Sequence, residues 1–76
     1  KVMIMEKIKH LFNEEQLKLF EKLGRPIEDR EYSDDEILDL DRIIADRLMY
    51  SGFDDDYNIN EEGRICESIL GIFGDM

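Results

Sequence analysis

The sequence is poor in residues that carry enzymatic and metal-binding chemistry, with one cysteine, one histidine, one proline and no tryptophan among 76 residues. A lone cysteine, Cys66, cannot form an intramolecular disulfide. One cysteine and one histidine also fall short of the four ligands of a structural zinc site. The sequence contains neither a glycine-rich phosphate loop nor a nucleophile elbow. We therefore expect a protein that is not an enzyme and holds no cofactor.

Long apolar runs are missing as well. No stretch approaches the ~20 residues that span a bilayer. The segment from Lys1 to Ile8 mixes apolar and charged side chains, unlike a signal peptide. These features favour a cytoplasmic protein without a membrane partner, and we expect residues 1–5 to be frayed or extraneous to the domain.

Charge is abundant and unevenly distributed, with a formal net charge of −10. Up to Ile27 there are six Lys or Arg residues and four Glu residues, whereas from Glu28 onward sixteen acidic residues face four arginines. Such a field repels nucleic acid and attracts basic protein surfaces or cations. The acidic residues are interleaved with apolar ones, and the hydrophobic content of 42% is that of an ordinary globular protein. We therefore expect one folded domain over residues 1–76.

Two capping boxes predict the starts of two helices. In the first, Asn13 and Gln16 can cap each other's backbone, and Gly24 provides a C-terminal stop. We predict a helix at about 14–23 whose apolar face contains Leu17, Phe20 and Leu23.

The second capping box joins Ser33 and Glu36, and Gly52 ends the helix that follows. A stripe of apolar residues at helical spacing runs through this helix. The stripe consists of Ile37, Leu40, Ile44 and Leu48.

A third helix is predicted to begin at Asn60 and to end near Gly74. Cys66 falls within its apolar arc, so we expect a buried core thiol. Residues 25–31 and 54–59 do not alternate enough to predict strands. The predicted fold is a small all-α bundle of three amphipathic helices, with a short fourth helix over Met3 to Leu11 as a further option.

Four oxygen-bearing residues fall at the ligand spacing of an EF-hand calcium loop. Positions one, three, five and twelve of such a loop are Asp56, Asn58, Asn60 and Glu67. Position six, normally glycine, is Glu61, and position eight, normally apolar, is Gly63. The pattern therefore favours a solvated acidic loop leading into a capped helix over a calcium site, which we keep as an alternative.

Three stretches resemble a group of small acidic proteins from Gram-positive bacteria and their phages and conjugative elements. They are residues 32–36 (Tyr-Ser-Asp-Asp-Glu), 52–58 (Gly-Phe-Asp-Asp-Asp-Tyr-Asn) and 60–70 (Asn-Glu-Glu-Gly-Arg-Ile-Cys-Glu-Ser-Ile-Leu), within about half of the chain. The resemblance implies a bacterial cytoplasmic setting and a mobile element. It implies no catalytic or binding residue.

From the charge we predict a non-enzymatic interaction module that docks on a basic protein. A nucleic-acid-binding protein is one such partner, because carboxylates can stand in for the phosphates that it binds. The acidic protein would then act as an inhibitor of this partner. Direct contact with nucleic acid is not expected. The candidate docking residues are Asp34, Asp35, Asp39, Asp46, Asp54, Asp55, Asp56, Glu61 and Glu62.

Two alternatives remain beside this interpretation. The first is a cation-binding module that uses the degenerate calcium loop. The second is a homo-oligomeric structural protein, since three short helices leave apolar residues that a dimer would bury. These spare residues are Ile43, Met49, Tyr50 and Phe73.

Overall fold

The computed structural model describes residues 5–75, which contain three α-helices and one two-stranded sheet. In chain order the elements are β1 (Met5–Lys7), a 3-10 turn (Lys9–Leu11), α1 (Glu14–Lys22), β2 (Glu31–Ser33), α2 (Asp34–Ser51) and α3 (Glu61–Asp75). The prediction of an all-α protein with three amphipathic helices is confirmed.

The residues form two compact units, Lys1–Leu40 and Asp41–Met76. The boundary lies inside α2, so this helix contributes its first seven residues to one unit and the remainder to the other. The single-domain interpretation stays a prediction, because the continuous helix belongs to both units.

The first unit is built around α1 and the antiparallel strand pair β1–β2, whose strands flank α1 in the sequence. Phe12 and Phe20 meet edge to face, with ring centroids 5.3 Å apart at an interplanar angle of 66°. The buried apolar side chains of this unit are Ile8, Phe12, Leu19, Phe20, Ile27, Tyr32 and Leu40.

The start and end of α1 follow the sequence prediction closely. The Gln16 backbone N–H donates to Asn13 Oδ1 at 2.9 Å, and the Asn13 N–H donates to Gln16 Oε1 at 2.8 Å. This capping box satisfies two donors that a helix start otherwise leaves unpaired. Gly24 has φ +80°, a left-handed conformation that glycine adopts without a steric penalty.

The buried face of α1 differs from the predicted one. Gln16, Leu19 and Phe20 are buried, whereas Leu17 and Leu23 are only half-buried. The capping box holds Gln16 against the helix start, and Phe12 contacts Phe20 edge to face. These two contacts place Gln16 and Phe20 on the core side, and Leu19 is adjacent to Phe20.

The predicted short helix over Met3 to Leu11 does not form in the described part of this segment. Met5–Lys7 is a strand that pairs antiparallel with Glu31–Ser33, with Met5 opposite Ser33, and only Lys9–Leu11 is helical, as a 3-10 turn. The strand partner lies more than twenty residues away, so local periodicity does not reveal it. Met3 and Ile4 lie outside the described residues.

The second capping box is also present. The Glu36 N–H donates to Ser33 Oγ at 3.3 Å, and the Ser33 N–H donates to Glu36 Oε1 at 3.0 Å. The helix α2 ends at Ser51, one residue before Gly52, as predicted.

In the second unit, Asn60 joins the end of α2 to the start of α3. Its Nδ2 donates to the Ser51 carbonyl at 2.7 Å and its backbone N–H donates to the Gly52 carbonyl at 2.9 Å. Its Oδ1 accepts from the Gly63 N–H at 2.7 Å, which is the predicted N-cap. The helix continues to Asp75, one residue beyond its predicted end at Gly74.

Gly63 lies where α3 passes closest to the backbone at the end of α2. A Cβ atom there would collide with the Gly52 carbonyl oxygen and lie 2.7 Å from Ile59 Cγ1. Gly63 is therefore required by packing despite its low helix propensity. Gly71, in the same helix, has nothing within 4 Å of such an atom.

The two glycines of α3 give opposite predictions for substitution by alanine. We expect Gly63→Ala to lower the free energy of unfolding by about 1–3 kcal/mol, because the extra carbon displaces backbone. Gly71→Ala, the matched control, should raise it by up to about 1 kcal/mol through helix propensity. Denaturant titration measures both; equal stabilisation by the two substitutions would contradict the close approach.

Candidate functional site

The candidate docking residues of the first unit lie in the first turns of α2. Asp35 and Asp39 are exposed, and Asp34 is half-buried. Asp39 is engaged within the unit, since its Oδ2 accepts from Arg25 Nη2 at 2.6 Å. Of these three acids, Asp34 and Asp35 have no ion pair with any described residue.

The second unit carries most of the excess charge. Its sequence holds nine carboxylate side chains and three arginines, a formal net charge of −6 over 36 residues. The exposed acids of its described part are Asp46, Asp54, Asp55, Asp56, Glu61, Glu67 and Asp75. We call this set the acidic surface.

Glu62 is a docking candidate that the fold already uses. Arg47 Nε donates to its Oε1 at 3.0 Å, Arg47 Nη2 to its Oε2 at 3.4 Å, and the Ser51 hydroxyl to its Oε2 at 3.1 Å. The two charged side chains are largely buried, with Arg47 27% exposed and Glu62 20% exposed. Glu62 thus links α2 to α3 within the unit and does not belong to the acidic surface.

The loop between α2 and α3 is a tight turn with a structural aspartate. Asp54 Oδ1 accepts from the backbone N–H groups of Asp56 and Asn58, both at 2.9 Å. The Asp54 N–H donates to the Asn58 carbonyl at 2.8 Å, and Phe53 pairs with Ile59 in an isolated antiparallel bridge. This turn leaves the Asp55 and Asp56 side chains exposed.

The structure does not arrange the calcium-loop candidates as an EF-hand. Seven of the twelve positions, 61–67, are already helical because α3 begins at Glu61. Asn60 caps α3, and Glu67 projects as an exposed side chain from the helix. Among residues 5–75, no group of three His, Cys, Asp or Glu side chains is placed to hold a metal ion.

Sequence reasoning missed a cluster around Arg30 in the first unit. Arg30 donates to Glu28 Oε2 at 2.8 Å through Nε and to Glu36 Oε2 at 2.9 Å through Nη2. Its guanidinium carbon lies 3.9 Å from the Tyr32 ring centroid, a cation–π contact. The Tyr32 hydroxyl accepts from the Glu28 N–H at 2.8 Å.

Arg30 directly precedes β2, and Tyr32 lies within this strand two positions later. That spacing was the available signal, but it required knowing that β2 is a strand. An open cavity of about 220 Å³ lies beside the cluster. It is lined by Gly24, Arg25, Pro26, Glu28, Arg30, Tyr32, Glu36 and Leu40.

The cluster shifts the titration of its members. The hydrogen bond from Arg30, aided by the Ser33 N–H, lowers the pKa of Glu36 from 4.5 to about 2. Hydrogen bonds to Glu36 and Glu28 raise the pKa of Arg30 in turn. The two pKa values move in opposite directions because the same ion pair favours the charged form of both side chains.

Cys66 is the buried core residue that the sequence predicts, with no exposed surface. Burial, with a smaller contribution from the Glu62 charge, raises the pKa of its thiol. The thiolate that nucleophilic chemistry requires is therefore disfavoured at this position.

Comparisons with protein-family models, with curated proteins and with solved structures match this chain to none of them. Within the described residues, no helix combines the length and apolar character needed to cross a bilayer.

The lowered pKa of Glu36 predicts acid-dependent stability. Its ion pair stabilises the fold above about pH 4.5, and this contribution is lost as the pH falls toward about 2. We expect the melting temperature of Glu36→Gln to lie below that of the wild type at pH 6 and to converge with it near pH 2. Glu67→Gln, an exposed acid of α3, is the control. A constant difference across this pH range would refute the assignment.

Burial of Cys66 predicts slow reaction with thiol reagents. We expect the folded protein to react with a chromogenic disulfide at least about a hundredfold more slowly than the denatured protein at the same pH, because the thiol reacts only after opening. Stopped-flow absorbance measures both rates. Rates within a few-fold of each other would show that the thiol is accessible.

Proposed function

We propose that this protein is a non-enzymatic interaction module that docks through its acidic surface on a basic protein, with a nucleic-acid-binding protein as the favoured partner class. The observation that carries the proposal is the charge of the second unit. Seven exposed carboxylates face two exposed arginines, Arg42 and Arg64, while the third arginine is engaged by Glu62.

The electrostatics of these carboxylates support docking. Asp46, Asp55, Asp56 and Glu61 have no ion pair with any described residue, so their charges are not neutralised within the unit. Exposed like charges at this density create a potential that speeds encounter with a positive surface. Lys and Arg side chains that bind phosphates also form charge-assisted hydrogen bonds with carboxylates. A phosphate-binding surface is therefore a suitable target.

Several carboxylates are held by ordered backbone, which favours recognition over general solubilisation. Asp46 lies in α2, Glu61 begins α3, and Asp55 and Asp56 lie in the turn that Asp54 closes with two hydrogen bonds. A surface whose backbone is fixed loses less conformational entropy on binding.

The sequence resemblance extends the proposal to a setting. It implies a bacterial mobile element and the cytoplasm, where a small acidic protein that occupies the nucleic-acid site of a basic protein would act as an inhibitor. A Gram-positive lysate is accordingly the source in which to search for the partner.

Affinity capture from nuclease-treated Gram-positive lysate tests this function. The bait variant Asp46→Asn/Asp55→Asn/Asp56→Asn removes three charges of the acidic surface and keeps the structural Asp54. Glu14→Gln/Glu15→Gln/Glu21→Gln removes three exposed charges of the first unit and serves as the charge-matched control.

We expect the wild type and the control to recover the same basic protein, in lower yield at high salt. The first variant should bind it about tenfold more weakly, as expected for three partly screened charge contacts. Adding this protein should displace nucleic acid from the recovered partner. Equal recovery by all three baits, or a partner that keeps its nucleic acid, would contradict the proposal.

A further inference from the structure

The second unit exposes aromatic side chains next to its acidic turn. Tyr57 is 87% exposed, Tyr50 86% and Phe53 43%. Exposed aromatic rings on a small domain are unusual, because their burial contributes strongly to stability. Exposed apolar area thus lies within a few residues along the chain of carboxylates that face solvent.

The rings and carboxylates lie on one short stretch of chain. Tyr57 directly follows residues 54–56, and its N–H donates to the Asp54 carbonyl at 3.0 Å, which closes the turn. Phe53 precedes the same turn, and Tyr50 lies in the last turn of α2, three residues before Phe53. We call Tyr50, Phe53, Tyr57 and the carboxylates of 55–56 the acidic–aromatic surface.

The first unit contains an example of a group that binds an aromatic ring and carboxylates together, the guanidinium of an arginine. There, Arg30 stacks over the Tyr32 ring and pairs with two carboxylates, Glu28 and Glu36. In the second unit, no described cation lies over the ring of Tyr50 or Tyr57. The acidic–aromatic surface therefore offers rings and carboxylates without a guanidinium.

We propose that the acidic–aromatic surface binds an arginine-rich segment of a partner protein, with guanidinium groups stacked on the tyrosine rings and paired with the Asp55 and Asp56 carboxylates. This inference rests on the proposed function and specifies its partner. Arginine suits the surface better than lysine, because the planar guanidinium stacks on a ring while it donates hydrogen bonds to carboxylates.

The charge of the unit selects this occupant over a second copy of the chain. Two acidic–aromatic surfaces facing each other would bring two units of net charge −6 together, which is repulsive. A positively charged segment is attracted by the same field.

Two labelled peptides test the inference: one alternates arginine and glycine, and the other alternates lysine and glycine at equal length. Fluorescence anisotropy gives their dissociation constants for the full chain at low and at physiological ionic strength. We expect the arginine peptide to bind about fivefold more tightly than the lysine peptide.

Tyr57 has φ +63°, a left-handed conformation that asparagine tolerates. Tyr57→Asn therefore removes the ring without adding backbone strain. We expect this substitution to raise the dissociation constant of the arginine peptide about three- to fivefold, so that the two peptides bind with nearly equal affinity. Tyr57→Phe, which keeps the ring, should retain the preference. Asp55→Asn/Asp56→Asn should weaken the binding of both peptides and reduce the dependence of their affinity on ionic strength.

Equal affinity of the two peptides for the wild type, or an arginine preference that survives Tyr57→Asn, would overturn the inference and leave acidic docking intact. Failure of both peptides to bind would also overturn it, while the lysate capture still decides the proposed function. Self-association that competes with the peptide and is lost in Tyr57→Asn would assign the surface to a second copy.

Discussion

The close contact between the end of α2 and the first turn of α3 is the constraint on which the second unit depends. The Gly52 carbonyl accepts from the Asn60 N–H and lies where a side chain on Gly63 would have to be. Asn60 uses both polar atoms of its amide, one for Ser51 and one for Gly63. Only a residue with a donor and an acceptor at this position satisfies both helix ends at once.

This junction also determines how the chain displays its charge. Because residues 52 and 60 are hydrogen-bonded, the intervening segment must turn within a few residues, and Asp54 closes that turn through its side chain. Asp54 and Glu62 are thereby used to build the unit. The Asp55 and Asp56 carboxylates and the Tyr57 ring are exposed to solvent, where a partner can reach them. Asp54 is exposed as well as structural, so it belongs to the acidic surface while it closes the turn, whereas Glu62 serves only the fold.

Local signals predicted the helices well, because a capping box requires only four neighbouring residues. Asn13 with Gln16 and Ser33 with Glu36 fix the starts of α1 and α2 as expected. Features that depend on distant partners were not predicted. The strand at Met5–Lys7 needs β2, and the roles of Glu62 and Arg25 need Arg47 and Asp39. Composition alone indicated an acidic surface, but not which carboxylates form hydrogen bonds and ion pairs within the fold.

Native-state hydrogen exchange at the amides of Asn60 and Gly63 tests the junction most directly. Amides at a helix start normally exchange quickly, since they have no partner within the helix. We predict that both exchange about as slowly as the amides of Cys66 and Ile69 in the buried part of α3. Exchange at the rate of an exposed turn would contradict the account, because the backbone that presents the acidic surface would then not be held in place.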